Sequence, residues 1–147
     1  MGIPMNGHVF LLTALLSLPG CASVVSQPQR SCYHAAEQIE KEIGFCQAFR
    51  SGNTLHVSGV AAGGAMDSAV RSVYAQLEVI LKANDLSFAN VVRENVFTTD
   101  LDAFIESKEM RREFYGASLP AASWVQVQRL YLPSYVLEVE LTAEYGE

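Results

Sequence analysis

From Tyr135 to Tyr145 the chain alternates without a break, with Val136, Glu138, Glu140 and Thr142 on one side and Leu137, Val139, Leu141 and Ala143 on the other. Successive strand side chains point to opposite faces, so the pattern commits this segment to a β-strand with one face in a core. Such a strand needs neighbours for its backbone groups and a second layer over its apolar face. The rest of the chain has to supply both.

Neighbouring strands are read at Phe45 to Arg50 and Thr54 to Val60, joined by Ser51, Gly52 and Asn53 as a hairpin turn, and at Val91 to Thr99 and Ser123 to Gln128. In the second of these, Leu55, Val57 and Gly59 oppose His56, Ser58 and Val60, and Ala61 to Ala65 reads as a flexible connection. The covering layer comes from two helices. Met66, Val70, Val73, Leu77, Ile80 and Leu81 recur at three- and four-residue steps, forming one stripe that Asn84 ends. Asp100 can cap a second helix from Leu101 to Tyr115, with Leu101, Phe104, Ile105 and Phe114 as its apolar edge and Gly116 as its stop. Residues 33–43 have helical composition over a short run, a turn of helix or an entry loop. The order predicts an α+β fold, a single mixed β-sheet with two helices on one face. The other sheet face mixes apolar and polar residues, which suits an interface between copies better than bulk solvent.

Half of the 147 residues are apolar and 18% are charged, so the body is globular and of single-domain size. A formal charge of -6 opposes binding to a phosphate backbone, and Arg111 with Arg112 among Glu106, Glu109 and Glu113 reads as a solvated helix face. Nucleic acid is therefore not an expected partner. His34 and His56 stand isolated and no Cys/His/Asp spacing fits zinc, so no metal is expected. Nor is there a nucleotide fingerprint or a Ser/His/Asp order, and no cofactor is expected.

The front of the chain differs in kind. Val9 to Leu18 is an apolar run of ten residues, about 15 Å of helix, too short to cross a bilayer and suited to a signal-peptide core. Leu18-Pro19-Gly20-Cys21 resembles a bacterial lipobox, which implies lipidation at Cys21. That reading divides the chain into a signal at 1–20, a flexible tether at 21–32 and a folded domain at 33–147. It places the protein in the cell envelope, lipid-anchored at the outer membrane and facing the periplasm, with a soluble secreted or periplasmic form as the alternative. Cys32 and Cys46 are read as free thiols in preference to a bridge.

The segment LPAASWVQVQRLYLPSYVLEVELTAE, Leu119 to Glu144, resembles the closing strands of the Rid (YjgF-type) enamine/imine deaminases. Three further segments agree in order: Gly44 to Ala48, Val57-Ser58-Gly59, and Val91 to Leu101. The resemblance implies a Rid/chorismate-mutase-like fold, homotrimers, and small-metabolite clefts between subunits. It puts Glu138 in the role that directs water at an imine carbon, with Phe45, Ser58, Gly59, Ala122, Ser123 and Trp124 lining the substrate site. One position departs decisively. Where the family carries Pro-Ala-Arg-Ser, this chain has Pro120, Ala121, Ala122 and Ser123, and alanine cannot reproduce the bidentate hold of an arginine on a substrate carboxylate. Arg129 is a substitute cation nearby, although a surface pairing with a carboxylate is the preferred reading. Three functions stay open: hydrolysis of an imine, enamine or related derivative, binding of a small apolar ligand without turnover, and a structural envelope lipoprotein.

Overall fold

The computed structural model describes residues 1–2 and 28–146. The expected signal, Cys21 and most of the tether lie outside those residues. In chain order the elements are β1 (Arg30–Tyr33), α1 (Glu37–Ile43), β2 (Ala48–Ser51), β3 (Thr54–Gly63), α2 (Met66–Ala83), a short 3-10 turn (Phe88–Asn90), β4 (Val91–Thr98), α3 (Leu101–Glu106), α4 (Lys108–Tyr115), β5 (Ala121–Gln126) and β6 (Tyr135–Glu144). They form one six-stranded sheet in the order β1-β2-β3-β6-β4-β5. All neighbours are antiparallel except β4 and β5, so the sheet is mixed, as expected. Among the described residues no helix is long and apolar enough to cross a membrane.

The core lies between α2, α3 and α4 and one sheet face. Val70, Val73, Leu77, Ile80 and Leu81 of the α2 stripe are buried against Leu55, Val57, Val60, Val96, Leu137, Val139 and Leu141. The second helix is broken at Ser107, whose single hydroxyl proton is shared between Asp67 Oδ1 at 2.6 Å and the Ala103 carbonyl at 3.1 Å. A hydroxyl that competes for a helical carbonyl bends or interrupts the helix, and here it also ties α3 to the first turn of α2.

Several boundaries differ from expectation. Arg30 to Cys32, assigned to the tether, pair with Phe49 to Ser51 and make β1 an edge strand. Cys32 and Cys46 are disulfide-bonded with their Cα atoms 5.5 Å apart, which corrects the free-thiol reading. Cys46 lies in the loop before β2, and the pairing of β1 with β2 carries Cys32 up to it. β3 continues to Gly63 instead of ending at Val60, with Ala61 and Ala62 opposite Glu138 and Leu137. The cause is an irregularity between Val57 and Val60 that inserts a residue and shifts the phase of the strand, so Val57 and Val60 both face the core. A second shift between Val91 and Arg93 likewise buries both Val91 and Glu94.

Candidate functional site

The bulge in β3 shapes the sheet's open face. Past Val57 it turns Gly59 toward β6, where a Cβ at position 59 would overlap the Glu138 carboxylate. Glycine lets the carboxylate lie directly over its backbone, and any Cβ there would push the Glu138 side chain aside. Ser58 is held from the other side: its hydroxyl donates to the Cys46 carbonyl at 2.8 Å and its N–H to Gln47 O at 2.9 Å, while Gln47 Nε2 donates to Ser58 O at 3.1 Å. Phe45, the next residue back, is 37% exposed. Ser58, Gly59 and Glu138 are thus joined through the bulge and β6, with Phe45 next to Cys46 in the α1–β2 loop.

Glu138 is half-buried, stands opposite Ala61 and Phe97 in its neighbouring strands, and takes part in none of the ion pairs among the described residues. Burial, and then the charge of Glu140 on the same face, push its carboxyl above the ordinary range. A carboxylate of that kind is a better proton acceptor near neutrality than an exposed one.

The remaining expected site residues separate from this group. Ser123 is on the open face, accepting from Arg93 Nη2 at 3.0 Å. Ala122 and Trp124 stand opposite Glu94 and Val96 in β4, on the helix face of the outer strand β5. Trp124 is no free platform: its ring meets Phe104 edge-on at 5.1 Å, and its indole N–H donates to Glu94 at 3.2 Å. Within one chain, Trp124 and Glu138 therefore lie on opposite sides of the sheet.

Glu94 was not singled out in the sequence, yet it organises this second group. It is 0% exposed and accepts from every side. Tyr74 and Tyr115 donate their hydroxyls to Oε1 at 2.7 and 2.8 Å, and Arg111 Nε and Nη2 both reach Oε2 at 2.7 Å beside the Trp124 N–H. Arg111, expected on a solvated face, is 7% exposed, and its guanidinium also lies 4.7 Å from the Tyr115 ring centroid and 5.2 Å from that of Trp124. Burial and then the charge of Glu94 push the Tyr74 and Tyr115 hydroxyls far up, keeping them as donors. Burial opposes the charge on Arg111, but Glu94 outweighs it and holds the guanidinium protonated. A charged residue in the strand pattern, with a Tyr and an Arg on the apolar sides of two helices, was the only available signal.

The consequence concerns Ala122. Its opposite residue in β4 is Glu94, and the nearby guanidinium of Arg111 is already committed to that carboxylate. Arg129 does not substitute, since it donates to the Tyr131 carbonyl in its own loop. Arg93 is exposed on the open face, but Phe97, the residue beside Glu138, is four positions further along β4, about 13 Å away. Arg111, Arg129 and Arg93 are therefore not placed to hold a carboxylate beside Glu138.

The histidine reading also changes. His34 is not isolated: its Nε2 lies 3.1 Å from Cys32 Sγ, its Nδ1 bonds Glu40 at 2.7 Å, and ligand atoms of Cys32, His34 and Cys46 all lie within 4.8 Å of one another.

The family described as Endoribonuclease L-PSP matches residues 26–145. A RutC family protein of Pyrococcus horikoshii is 32% identical over 119 residues, covering 73% of this chain and 92% of the relative. The mouse 2-iminobutanoate/2-iminopropanoate deaminase is 30% identical over 112 residues, covering 69% and 82%. Among solved structures, a Mycobacterium tuberculosis member of the YjgF/YER057c/UK114 family superposes with a TM-score of 0.74 at 25% identity, covering 80% of this chain and all of that one. With the sheet, the helices and the Leu119 to Glu144 motif in agreement, the chain belongs to the Endoribonuclease L-PSP family, the Rid (YjgF-type) lineage that its sequence resembles.

Proposed function

We propose that this protein hydrolyses a small imine or enamine whose recognition does not depend on a carboxylate, in a cleft formed between copies of the chain, with Glu138 activating the attacking water. The observation that carries the reading is the half-buried Glu138 over the Gly59 backbone, outside the ion pairs among the described residues, its carboxyl raised by burial and by Glu140. The named activity of the mouse relative supplies the reaction class. Ala122 opposite a saturated Glu94 supplies the departure in substrate. The cleft is put between copies, most simply in a homotrimer, because within one chain Glu138 beside Gly59 and the Ala122 position lie on opposite sides of the sheet, which supports a site completed by a second copy.

The formal net charge of -6 favours a small molecule over a nucleic acid despite the family's name. A leader ending at Cys21 and a lipid anchor there, proposed from the sequence alone, would put the cleft in the cell envelope. The test is Glu138→Gln in a continuous assay of imine hydrolysis. The expected result is a loss of kcat of about 100-fold or more with an unchanged fold, the scale of a positioned general base. Undiminished turnover in the variant would contradict the assignment. Binding without turnover in the wild type would favour a ligand-binding protein.

A further inference from the structure

The corner where β1, α1 and the α1–β2 loop meet holds three side chains of metal-ligating type outside the Glu138 site. Cys32 is exposed, His34 and Cys46 are half-buried, and their ligand atoms all lie within 4.8 Å of one another. The imidazole is already aimed. Glu40, 2% exposed, accepts the backbone N–H groups of Ala35 and Ala36 at 3.0 and 2.6 Å on one oxygen and takes His34 Nδ1 at 2.7 Å on the other. A carboxylate held that way accepts, so Nδ1 donates to it and Nε2 is the ring nitrogen turned toward Cys32 Sγ, 3.1 Å away. A buried carboxylate orienting an imidazole through its far nitrogen is the arrangement that supports metal-bound histidines.

The frame around the ligands is also fixed. Cys32 is paired with Phe49 in the sheet, the Cys46 carbonyl accepts the Ser58 hydroxyl at 2.8 Å, and α1 closes at Gly44, whose N–H returns to Glu40 O at 2.8 Å.

We propose that the reduced form of this corner is a zinc site, with Cys32, Cys46 and His34 Nε2 as ligands, Glu40 as the positioning residue and the fourth coordination position open to solvent beside Cys32. The disulfide is the metal-free, oxidised form of the same site. Reduction by a dithiol adds two electrons and two protons to the Cys32–Cys46 bond, and the dithiol becomes a disulfide. Zinc then takes both sulfurs as thiolates, and the two protons leave. At Zn–S distances of about 2.3 Å the sulfurs stand about 3.8 Å apart in a tetrahedral site, so the Cβ–Sγ bonds swing apart on reduction, and the bound zinc takes over from the disulfide in holding β1 to the α1–β2 loop. Two thiolates and one imidazole select a borderline-soft ion over calcium or magnesium. The proposal does not depend on the hydrolase reading.

The experiment uses the full 147-residue chain carrying Cys21→Ser, so that Cys32 and Cys46 are its only thiols. The protein is reduced anaerobically with a phosphine, desalted and titrated with Co2+, then with Zn2+. The expected result is one equivalent of cobalt with a thiolate charge-transfer band and tetrahedral ligand-field intensity, displaced by one equivalent of zinc, and no band in the oxidised protein. Cys46→Ser should abolish the band, His34→Ala should weaken zinc binding at least tenfold, and Glu40→Gln should weaken it by about 10- to 100-fold. His34→Ala keeps the test decisive if Glu40→Gln fails to fold, as judged by circular dichroism. Absence of the band in the reduced protein, or a band and affinity unchanged by His34→Ala, would overturn the proposal.

Discussion

Glu94 and Glu138 are two glutamates on neighbouring strands with opposite fates, and the difference is set by which sheet face each points to. Glu94 enters the helix layer and is fully enclosed by the two tyrosine hydroxyls, the Arg111 guanidinium and the Trp124 N–H. A buried pair stripped of one partner leaves an uncompensated charge. Glu94→Ala should therefore cost about 3 to 5 kcal/mol in denaturant unfolding, and its double-mutant cycle with Arg111→Ala should show strong coupling. Additive effects would mean the network is not a unit.

Glu138 behaves in the reverse sense. Burial raises its folded-state carboxyl above the ordinary value of 4.5, with Glu140 adding to the shift, so the ionised form costs the fold stability. That cost is present above the folded-state pKa and disappears as pH falls through it toward 4.5. Glu138→Gln should accordingly be more stable than the wild type at neutral pH, with the gap closing on acidification. A gap that widens toward acid would contradict the burial argument. The same substitution removes the proposed base, so stability and turnover should move in opposite directions.

At the scale of the element, β1 and the β3 bulge are the informative pieces. β1 is four residues long and pairs only with β2, so its place depends on the Cys32–Cys46 bridge. A bridge across 14 residues contributes about 3 kcal/mol in the chain-entropy view. Cys46→Ser should lose stability of that order and speed amide exchange in Ser31 to Tyr33, leaving α2 and β6 protected. Unchanged exchange in β1 would show that pairing with β2 alone suffices.

What the sequence made legible follows the same division. The α2 stripe and the alternation of β6 were readable because their periods run unbroken, and the hairpin was readable from Gly52 and Asn53, with Gly52 at φ +60° between paired Ser51 and Thr54. The extension of β3 was hidden because a bulge at Ser58 and Gly59 breaks the alternation that reveals a strand. The Glu94 network was hidden because a charged residue reads as solvent-facing until its donors, Tyr74, Arg111, Tyr115 and Trp124, are brought in from other elements. Glu138 and Gly59 were singled out from family likeness, and the likeness also grouped Trp124 with them, although the register of β5 against β4 puts it on the other face.

For the whole molecule, the proposed cleft requires assembly. The open face carries Phe97 and Val125 side by side in register, Val125 exposed, next to Glu138. Val125→Asp should dissociate the assembly in sedimentation and abolish turnover together, because the two halves of the cleft then no longer meet. A dissociated chain with full activity would place the whole site within one copy. The most direct test of the central claim is a comparison of kcat/KM for two imines that share a side chain, one with an α-carboxylate and one without. The account predicts that the wild type turns over the carboxylate-free imine at least as well as its partner, and that Ala122→Arg shifts preference toward the carboxylated one. A wild-type preference of tenfold or more for the carboxylated imine would contradict it, and would mean that another cation takes the place of the missing arginine.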